Sequence, residues 1–464
     1  MEKTKDSSVT LNEIGYQQEL NRTIGFKTLL LFAFGYISPT TVMTYVGLVS
    51  MSTHGMLALT YAVATIAMAF TAFSYAKMVR IYPIAGSSYS YASKSINPHV
   101  GFMTGWVILL DYCFLPIVCY VLLGLYVELL IPGVPVWIWI ALSGLIFAVV
   151  GCRGIDILTK LNNILVLIMV VFMVALFLFF CKWIATGNGA ATFFSPTAII
   201  NPAELHEVGI GAIFAGASIL VLCFLGIDAA TTVAEEVIDA ERVVGKVIVI
   251  VTIGVGLYFV IYSYVMQLAW PTGWQEFETA DTASAELVEY AAGSVMAYLF
   301  TAIYIISCFV CIITISTSAT RIMYSMGRDG VFPRRFFGYV HPKWKTPVKN
   351  IILVAVGSVI AASLVDLMSI SSVVNYGALI AFTMVNVSVI AHYYVREKRR
   401  GVYNTFCYLI APLCGAVICA LVFFNLDRTA LMIGTGWAIV GFIYLAIMTK
   451  GFKTMPKAMD FSEQ

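Results

Sequence analysis

The chain has 464 residues, of which 60% are hydrophobic and only 11% are charged. Soluble domains carry roughly 25% charged residues, so this composition excludes an ordinary soluble protein and predicts an integral membrane protein. The net charge of +2, with no block of basic residues, argues against a nucleic-acid partner. The ten cysteines lie inside apolar stretches, which argues against a disulfide framework.

The hydropathy pattern predicts the membrane spans, because crossing the hydrocarbon layer takes about 20 mostly apolar residues. The predicted fold is an all-α integral membrane protein with twelve transmembrane helices. These spans, numbered 1 to 12, lie near 25–50, 56–76, 102–130, 135–152, 159–183, 209–235, 246–269, 291–320, 349–366, 371–395, 404–425 and 429–449.

The distribution of Lys and Arg predicts the orientation, since cytoplasmic loops carry the excess of these residues. With the N-terminus inside, 25 of the 27 Lys and Arg residues face the cytoplasm, and only Lys182 and Arg428 lie outside. We therefore expect a multi-pass protein of the cytoplasmic (inner) membrane with both termini cytoplasmic. The predicted segments outside the bundle are the cytoplasmic tails 1–24 and 450–464 and the extracellular loop 184–208.

Two spans carry helix-breaking residues deep in the membrane. Span 1 contains GYISPTT at 35–41, where Pro39 lacks an N–H, and span 6 contains CFLGID at 223–228. A separation of five spans is typical of two inverted repeats whose broken helices form a midplane substrate site. The alternative is a proline kink in one helix and a glycine packing contact in the other.

Two carboxylates lie in the middle of predicted spans, Asp111 in span 3 and Asp228 in span 6. A carboxylate in hydrocarbon is costly unless it faces a partner or water, so both are candidates for substrate binding or proton coupling. The alternative is that each ties neighbouring helices together. Glu235 and Glu236 end span 6 on the predicted cytoplasmic side, where gating or structural functions are expected.

Several longer stretches carry a family resemblance. They are YASKSINPHVGFMTGW at 91–106, LDYCFLP at 110–116, CFLGID at 223–228, MGRDGVFP at 326–333, GYVHPKWKTP at 338–347 and NYGALIAFT at 375–383. In these the chain resembles the amino acid–polyamine–organocation (APC) transporter superfamily, and within it the bacterial putrescine importers. The resemblance implies a five-plus-five inverted repeat (LeuT-like) fold with helices 1 and 6 broken, alternating access, and usually proton coupling or exchange. The repeats would be 25–183 and 209–395, followed by spans 11 and 12 in 396–449.

Two differences from these relatives bear on the substrate. The putrescine importers resembled have an aspartate where this chain has Thr44 and a lysine where it has Gly124. Amino acid permeases of the superfamily usually have Gly-Ser-Gly at the first break, whose N–H groups hold the substrate carboxylate. Here the stretch reads Pro39-Thr40-Thr41, which lacks one N–H and is stiffened by β-branched side chains. This difference favours an amine over an α-carboxylate as the group that anchors the substrate.

The predicted site combines the two breaks, the buried carboxylates and positions of spans 8 and 10 that the resemblance implies. The predicted substrate-binding residues are Tyr36, Ser38, Pro39, Thr40, Thr41, Thr44, Asp111, Tyr112, Cys223, Phe224, Leu225, Gly226, Asp228, Cys311, Ile315, Asn375 and Tyr376. The predicted proton-coupling or gating residues are Asp228, Asp111, Glu235 and Glu236. No metal site and no cofactor are predicted.

The predicted function is secondary active import of a small organic cation such as putrescine or a related amine, with proton symport as the coupling mode. The alternatives are an amine or amino acid exchanger, an amino acid permease, and a transporter-like sensor; sodium coupling and the oligomeric state stay open. An enzyme is not expected, since the five histidines are scattered without metal-ligand spacing and no nucleotide-binding loop occurs. The expected partners are an amine or amino acid substrate, protons and membrane lipid.

Overall fold

The computed structural model describes residues 24–83, 87–153, 156–232, 234, 237–328, 332–342, 344 and 346–454, without the side chains of 153, 156–163, 232, 321, 325 and 328. Predicted residues Glu235 and Glu236 lie outside the described residues. The described part is helical, and its elements follow the predicted spans in order.

Most spans are single helices, and spans 1, 6, 10 and 11 consist of consecutive segments. Span 1 is Phe26–Ile37, a 3-10 turn Pro39–Met43 and Val46–Ser52; span 6 is Pro202–Leu220, a 3-10 turn Val221–Phe224 and Ala229–Thr232. Spans 2 to 5 are Leu57–Ile81, Pro98–Leu130, Val136–Arg153 and Asp156–Ala185; spans 7 to 9 are Ala240–Ala269, Ser294–Arg328 and Val348–Ala362. Span 10 is Leu367–Val389 with a π-helical end Ile390–Arg396, span 11 is Val402–Thr405, Phe406–Ile410 and Ala411–Phe424, and span 12 is Arg428–Met448. Short helices Ser87–Ser95, Pro196–Ala198, Gly273–Glu276, Ala283–Ala292 and Arg334–Phe337 lie between spans.

Ten of these helices, within the described residues, are long and apolar enough to cross a membrane, and spans 4 and 9 are shorter apolar helices. The structure therefore confirms an all-α membrane protein, with ten of the twelve predicted spans supported by length and composition. Span 3 is the centre of the bundle, since 89% of its most apolar stretch is buried. In spans 11 and 12, 28% and 17% of the most apolar stretch is buried, so most of the apolar surface of these two helices is free to face lipid.

The packing of the helices follows the two predicted repeats. Each of spans 1 to 4 packs against the span five places later in the chain. Thr65 of span 2 lies against Gly256 of span 7, and Tyr126 of span 3 stacks on Tyr304 of span 8 with ring centroids 4.1 Å apart. Two repeats related by a pseudo-two-fold axis bring their equivalent helices together in this way. Because each repeat has an odd number of spans, the second repeat is inverted in the membrane relative to the first.

Contacts between helix ends identify the two faces of the bundle. We call the end of the bundle at which spans 2 and 10 finish the basic end. There, Tyr82 Oη lies 3.3 Å from His392 Nδ1, and Arg396 donates a hydrogen bond of 3.1 Å to the carbonyl of Lys94. At the opposite end, where spans 5 and 7 finish, the Trp183 indole donates to the carbonyl of Ala269 at 3.3 Å. The segments predicted to lie inside therefore meet at one end.

Two carboxylates, Asp281 and Asp366, lie at the opposite end. Burial raises the pKa of Asp281, and the neighbouring carboxylate of Asp366 raises it further. Asp366 caps span 10 by accepting a hydrogen bond of 2.9 Å from the Ser369 N–H. Burial alone would raise the pKa of Asp366, but the hydrogen bonds from Ser369 outweigh it and hold this pKa below its ordinary value.

We expect Asp281→Asn to raise the melting temperature by a few degrees at neutral and alkaline pH. Because the folded state raises the pKa of Asp281, the ionised carboxylate lowers stability above that pKa. The gain should shrink as the pH falls towards the unfolded-state pKa of about 3.9, because Asp281 becomes protonated in both states below that value. Melting curves of the purified protein from pH 4 to 9 measure this, with exposed Glu276→Gln as control. A gain that does not depend on pH would contradict the electrostatic explanation.

Candidate substrate-binding site

The break in span 1 follows from Ser38 and Pro39. The first helix ends at Ile37, Ser38 adopts φ 61° and ψ 132°, and Pro39 begins a 3-10 turn. The carbonyl of Pro39 accepts a hydrogen bond of 2.8 Å from the Tyr258 hydroxyl of span 7. The break is therefore stabilised by a side chain of the neighbouring repeat.

The break in span 6 depends on Gly226. After the 3-10 turn Val221–Phe224, Leu225 is extended and Gly226 adopts φ 108°, a conformation open to glycine at little cost. A Cβ atom at Gly226 would lie 2.1 Å from Cδ1 of Tyr36. The two predicted breaks therefore touch, with the ring of Tyr36 against the backbone of Gly226.

A cavity of about 60 Å³ lies beside the two breaks, enclosed by spans 1, 3, 6 and 8. It has room for about four water molecules at 10–15 Å³ each, the scale of a small substrate group. Its wall is made of aromatic rings, hydroxyls, thiols and aliphatic side chains. The lining residues are Tyr36, Ile37, Thr40, Thr41, Thr44, Tyr45, Leu115, Val118, Cys119, Leu122, Leu222, Leu225, Tyr304, Ser307, Cys308, Cys311 and Ile315.

The two carboxylates lie behind this wall. Asp228 is 3% exposed, and its Oδ2 accepts a hydrogen bond of 2.8 Å from the Tyr112 hydroxyl, while its Oδ1 lies 3.3 Å from the Gly226 amide N, which donates to it. Asp111 is also 3% exposed. The two carboxyl groups interact electrostatically with each other and with Tyr36, whose ring is part of the cavity wall. Tyr36 is therefore part of the cavity wall and also within electrostatic reach of the acid pair.

The predicted site residues fall into three groups in the structure. Those that line the cavity are Tyr36, Thr40, Thr41, Thr44, Leu225, Cys311 and Ile315. Those near the wall are Ser38, Pro39, Asp111, Tyr112, Cys223, Gly226 and Asp228; Cys223 Sγ, for example, lies 3.9 Å from the carbonyl oxygen of Thr41.

The third group, Phe224, Asn375 and Tyr376, lies away from the cavity wall. Phe224 packs on span 7, and Asn375 donates to the carbonyl of Ser218 at 2.7 Å, which ties span 10 to the broken helix of span 6. Tyr376 packs on Gly434, and its hydroxyl lies 3.3 Å from the Thr435 hydroxyl of span 12. Their substrate contacts stay predictions.

The sequence reasoning missed nine lining residues, most of them on spans 3 and 8. They are Ile37, Tyr45, Leu115, Val118, Cys119, Leu122, Leu222, Tyr304 and Ser307. The four on span 3 follow Asp111 at intervals of 4, 7, 8 and 11 residues, which is one face of a helix. Helical periodicity counted from Asp111 could have identified them.

The two positions at which the putrescine importers were expected to differ face different neighbours. Thr44 lines the cavity, and its hydroxyl accepts a hydrogen bond of 2.8 Å from Tyr304. A Cβ atom at Gly124 would lie 2.5 Å from Val136 of span 4. A change at position 44 therefore alters the cavity directly, whereas a change at position 124 alters helix packing.

Three thiols in the cavity wall predict sensitivity to thiol reagents. Cys119 of span 3 and Cys308 and Cys311 of span 8 all line the cavity. We expect a small cationic methanethiosulfonate to reduce uptake by at least about 10-fold. Substrate at saturating concentration should protect the thiols from this reaction. The physical reason is that a reagent group of several atoms fills a cavity with room for about four waters.

Uptake assays on Cys119→Ser, Cys308→Ser and Cys311→Ser, singly and combined, locate the reactive thiol. Cys414→Ser is the matched control, since Cys414 lies on span 11 outside the lining. Inhibition that persists in the triple variant would show that the cavity thiols are not the site of reaction.

Comparison with known proteins identifies the family. The family model described as amino acid permease matches residues 24–452, nearly the whole chain. The chain belongs to the amino acid permease family. This permease is therefore a multi-pass transporter-family protein with a small-molecule substrate, as the superfamily resemblance predicted.

Individual relatives cover almost the full length of the permease. It is 37% identical over 439 residues to the low-affinity putrescine importer PlaP of Escherichia coli (strain K12), covering 94% of this chain and 95% of the relative. It is 24% identical over 450 residues to the branched-chain amino acid permease BcaP of Bacillus subtilis (strain 168), covering 92% and 93%. Among solved structures, the inward-facing conformation of Mhp1 is similar over 95% of both chains, with 15% sequence identity and a TM-score of 0.49.

Proposed function

We propose that this permease is a secondary active transporter that imports a diamine such as putrescine across the cytoplasmic membrane. The observation that carries the proposal is the 37% identity to a putrescine importer over nearly the full length of both chains. The cavity chemistry supports it, since none of the lining residues among the described positions is a Lys, Arg or His that would repel a cation. The rings of Tyr36, Tyr45 and Tyr304 offer aromatic faces, each able to contribute about 0.5–2 kcal/mol to a well-placed cation.

Asp228 and Asp111 are proposed as the groups that couple transport to protons. Both are buried in the middle of the bundle within electrostatic reach of each other, and Asp228 is joined to the break in span 6 through Gly226. A proton bound there changes the charge that acts on Tyr36, a residue of the cavity wall. Protonation and substrate occupancy would therefore influence each other.

The proposed orientation places the basic end in the cytoplasm, with both termini inside and loop 184–208 outside. It rests on the excess of Lys and Arg in the segments that meet at the basic end. The proposed repeats are 25–183 and 209–395, with spans 11 and 12 as an addition. Glu235 and Glu236 are proposed as gating residues on sequence position alone.

Uptake of radiolabelled putrescine into proteoliposomes tests the proposal. An imposed inward proton gradient should drive accumulation, and a protonophore should abolish it. Agmatine, other diamines and amino acids as competitors then define the substrate class. Absence of gradient-driven putrescine uptake would reject the importer, and uptake that requires a preloaded amine inside would indicate obligatory exchange.

A second candidate function is transport of a neutral amino acid, as a uniporter, symporter or exchanger. It is favoured by the identity to a branched-chain amino acid permease and by the aliphatic part of the cavity wall, which Leu115, Val118, Leu122, Leu222 and Ile315 form. Leucine uptake and leucine counterflow in the same vesicles separate this function from diamine import.

A further inference from the structure

Three buried hydroxyl groups form a closed ring where the break in span 1 meets span 8. Ser38 Oγ lies 2.8 Å from Ser307 Oγ, Ser307 Oγ lies 2.6 Å from Thr40 Oγ1, and Thr40 Oγ1 lies 3.1 Å from Ser38 Oγ. All three residues are less than 5% exposed. Thr40 and Ser307 also line the cavity. We call this set the hydroxyl ring.

The hydrogens available to the hydroxyl ring determine what it can bind. Each hydroxyl has one hydrogen to donate and two lone pairs to accept with. Three contacts at hydrogen-bond distance use the three hydrogens of Ser38, Thr40 and Ser307. Ser38 Oγ can instead donate to Met169 Sδ at 3.8 Å, and its hydrogen is used inside the protein in either case. Each oxygen then keeps one free lone pair and has no hydrogen left to donate. The closed ring therefore offers acceptors only.

Two other hydroxyls of the cavity wall donate their hydrogens to partners inside the protein. The Thr41 hydroxyl donates to the carbonyl of Ile37 in its own helix, and the Tyr304 hydroxyl donates to Thr44 Oγ1 at 2.8 Å. Lone pairs thus outnumber free hydrogens along this part of the wall. A cation with N–H donors matches such a wall, whereas a carboxylate, which accepts hydrogen bonds only, finds few donors.

We propose that the hydroxyl ring binds a primary ammonium group of the substrate and selects against a carboxylate at the same position. The inference rests on the proposed amine transport and specifies the part of the cavity that recognises the amine. The three N–H groups of an alkylammonium ion donate, and the ring and its neighbours accept. Hydrogen bonds with a charged partner are about twice as strong as neutral ones. Ser307 is then a specificity-determining residue contributed by the second repeat.

Two predictions distinguish this site from a general attraction for cations. A quaternary ammonium ion keeps its charge and its contacts with aromatic rings but has no N–H to donate, so the wild type should bind it worse. Ser307→Ala leaves Ser38 and Thr40 sharing one bond, which uses one of their two hydrogens. When Ser38 donates to Thr40, the freed hydrogen is that of Thr40, which lines the cavity and can then donate to a carboxylate. When Thr40 donates to Ser38, the freed hydrogen of Ser38 can bond to Met169 Sδ.

The experiment measures competition against radiolabelled putrescine uptake in proteoliposomes. The competitors are butylamine, butyltrimethylammonium and 4-aminobutanoate. In the wild type, butylamine should compete at least about 10-fold better than butyltrimethylammonium, the scale of one or more hydrogen bonds to a charged group. In Ser307→Ala, butylamine should weaken about 10-fold, butyltrimethylammonium should change less than about 2-fold, and 4-aminobutanoate should gain.

Two variants control for folding and for general effects on a buried helix. Ser307→Thr keeps the hydroxyl and should keep the preference for butylamine. Thr252→Ala removes a buried hydroxyl that bonds to the carbonyl of Ile248 in its own helix, outside the cavity lining, and should leave all three competitors unchanged.

The outcomes separate the hydroxyl ring from the proposed function. Putrescine uptake without discrimination between the two amines, or an equal loss for both amines in Ser307→Ala, would overturn the ring and leave amine transport standing. Absence of putrescine uptake in the wild type would overturn both.

Discussion

Asp228→Asn is expected to lower putrescine uptake by at least about 30-fold and to flatten its dependence on pH. The substitution keeps the size of the side chain but removes the group that can gain and lose a proton. It also replaces the charged acceptor of the Tyr112 hydroxyl and of the Gly226 N–H by a neutral amide. A hydrogen bond to a charged group contributes about 1.5–3 kcal/mol, and two such bonds are weakened here.

Initial uptake rates from pH 5 to 8, at fixed membrane potential, measure the effect. Tyr112→Phe is the informative companion, since it removes one hydrogen bond and keeps the carboxylate. We expect it to lower the rate less and to keep the pH dependence. Asp427→Asn, at the start of span 12, is the control away from the cavity. Unchanged uptake with an unchanged pH profile in Asp228→Asn would remove Asp228 from the coupling mechanism.

Gly226→Ala is expected to abolish measurable uptake and to lower thermal stability. Its Cβ would lie 2.1 Å from Cδ1 of Tyr36, so the buried ring would have to shift. The φ of 108° adds strain, because residues held in such backbone regions cost about 1–3 kcal/mol. The substitution should therefore separate the two helix breaks that enclose the cavity.

The matched control is Gly436→Ala in span 12, where a Cβ atom would meet nothing within 4 Å. This variant should insert into the membrane like the wild type, with the same melting temperature and the same uptake rate. Gly226→Ala combined with Tyr36→Ala should recover part of the thermal stability, because the clash is removed, but no uptake. Wild-type uptake by Gly226→Ala would show that the contact between Tyr36 and Gly226 is not needed for transport.

The sequence determined the class of the protein and the order of its spans. Lipid offers no hydrogen bonds to the backbone, so each segment that crosses it must be a closed helix with an apolar surface, and hydropathy reports this locally. The two breaks were predictable for the same reason. Pro39 removes a donor from its own helix, and Gly226 permits a backbone angle that other residues resist, so both signals are contained in a few adjacent residues.

The tertiary structure decided which side chains share the cavity. Asn375 and Tyr376 begin the motif NYGALIAFT, yet Tyr376 faces span 12 and Asn375 ties span 10 to span 6. Ser307 carried no sequence signal but meets Ser38 and Thr40 from 269 and 267 residues away. The physical reason is that a helix apolar on every side has no amphipathic face to specify its rotation about its own axis. That rotation is set by close packing against helices distant in sequence, and it determines which hydroxyls, thiols and carboxylates meet.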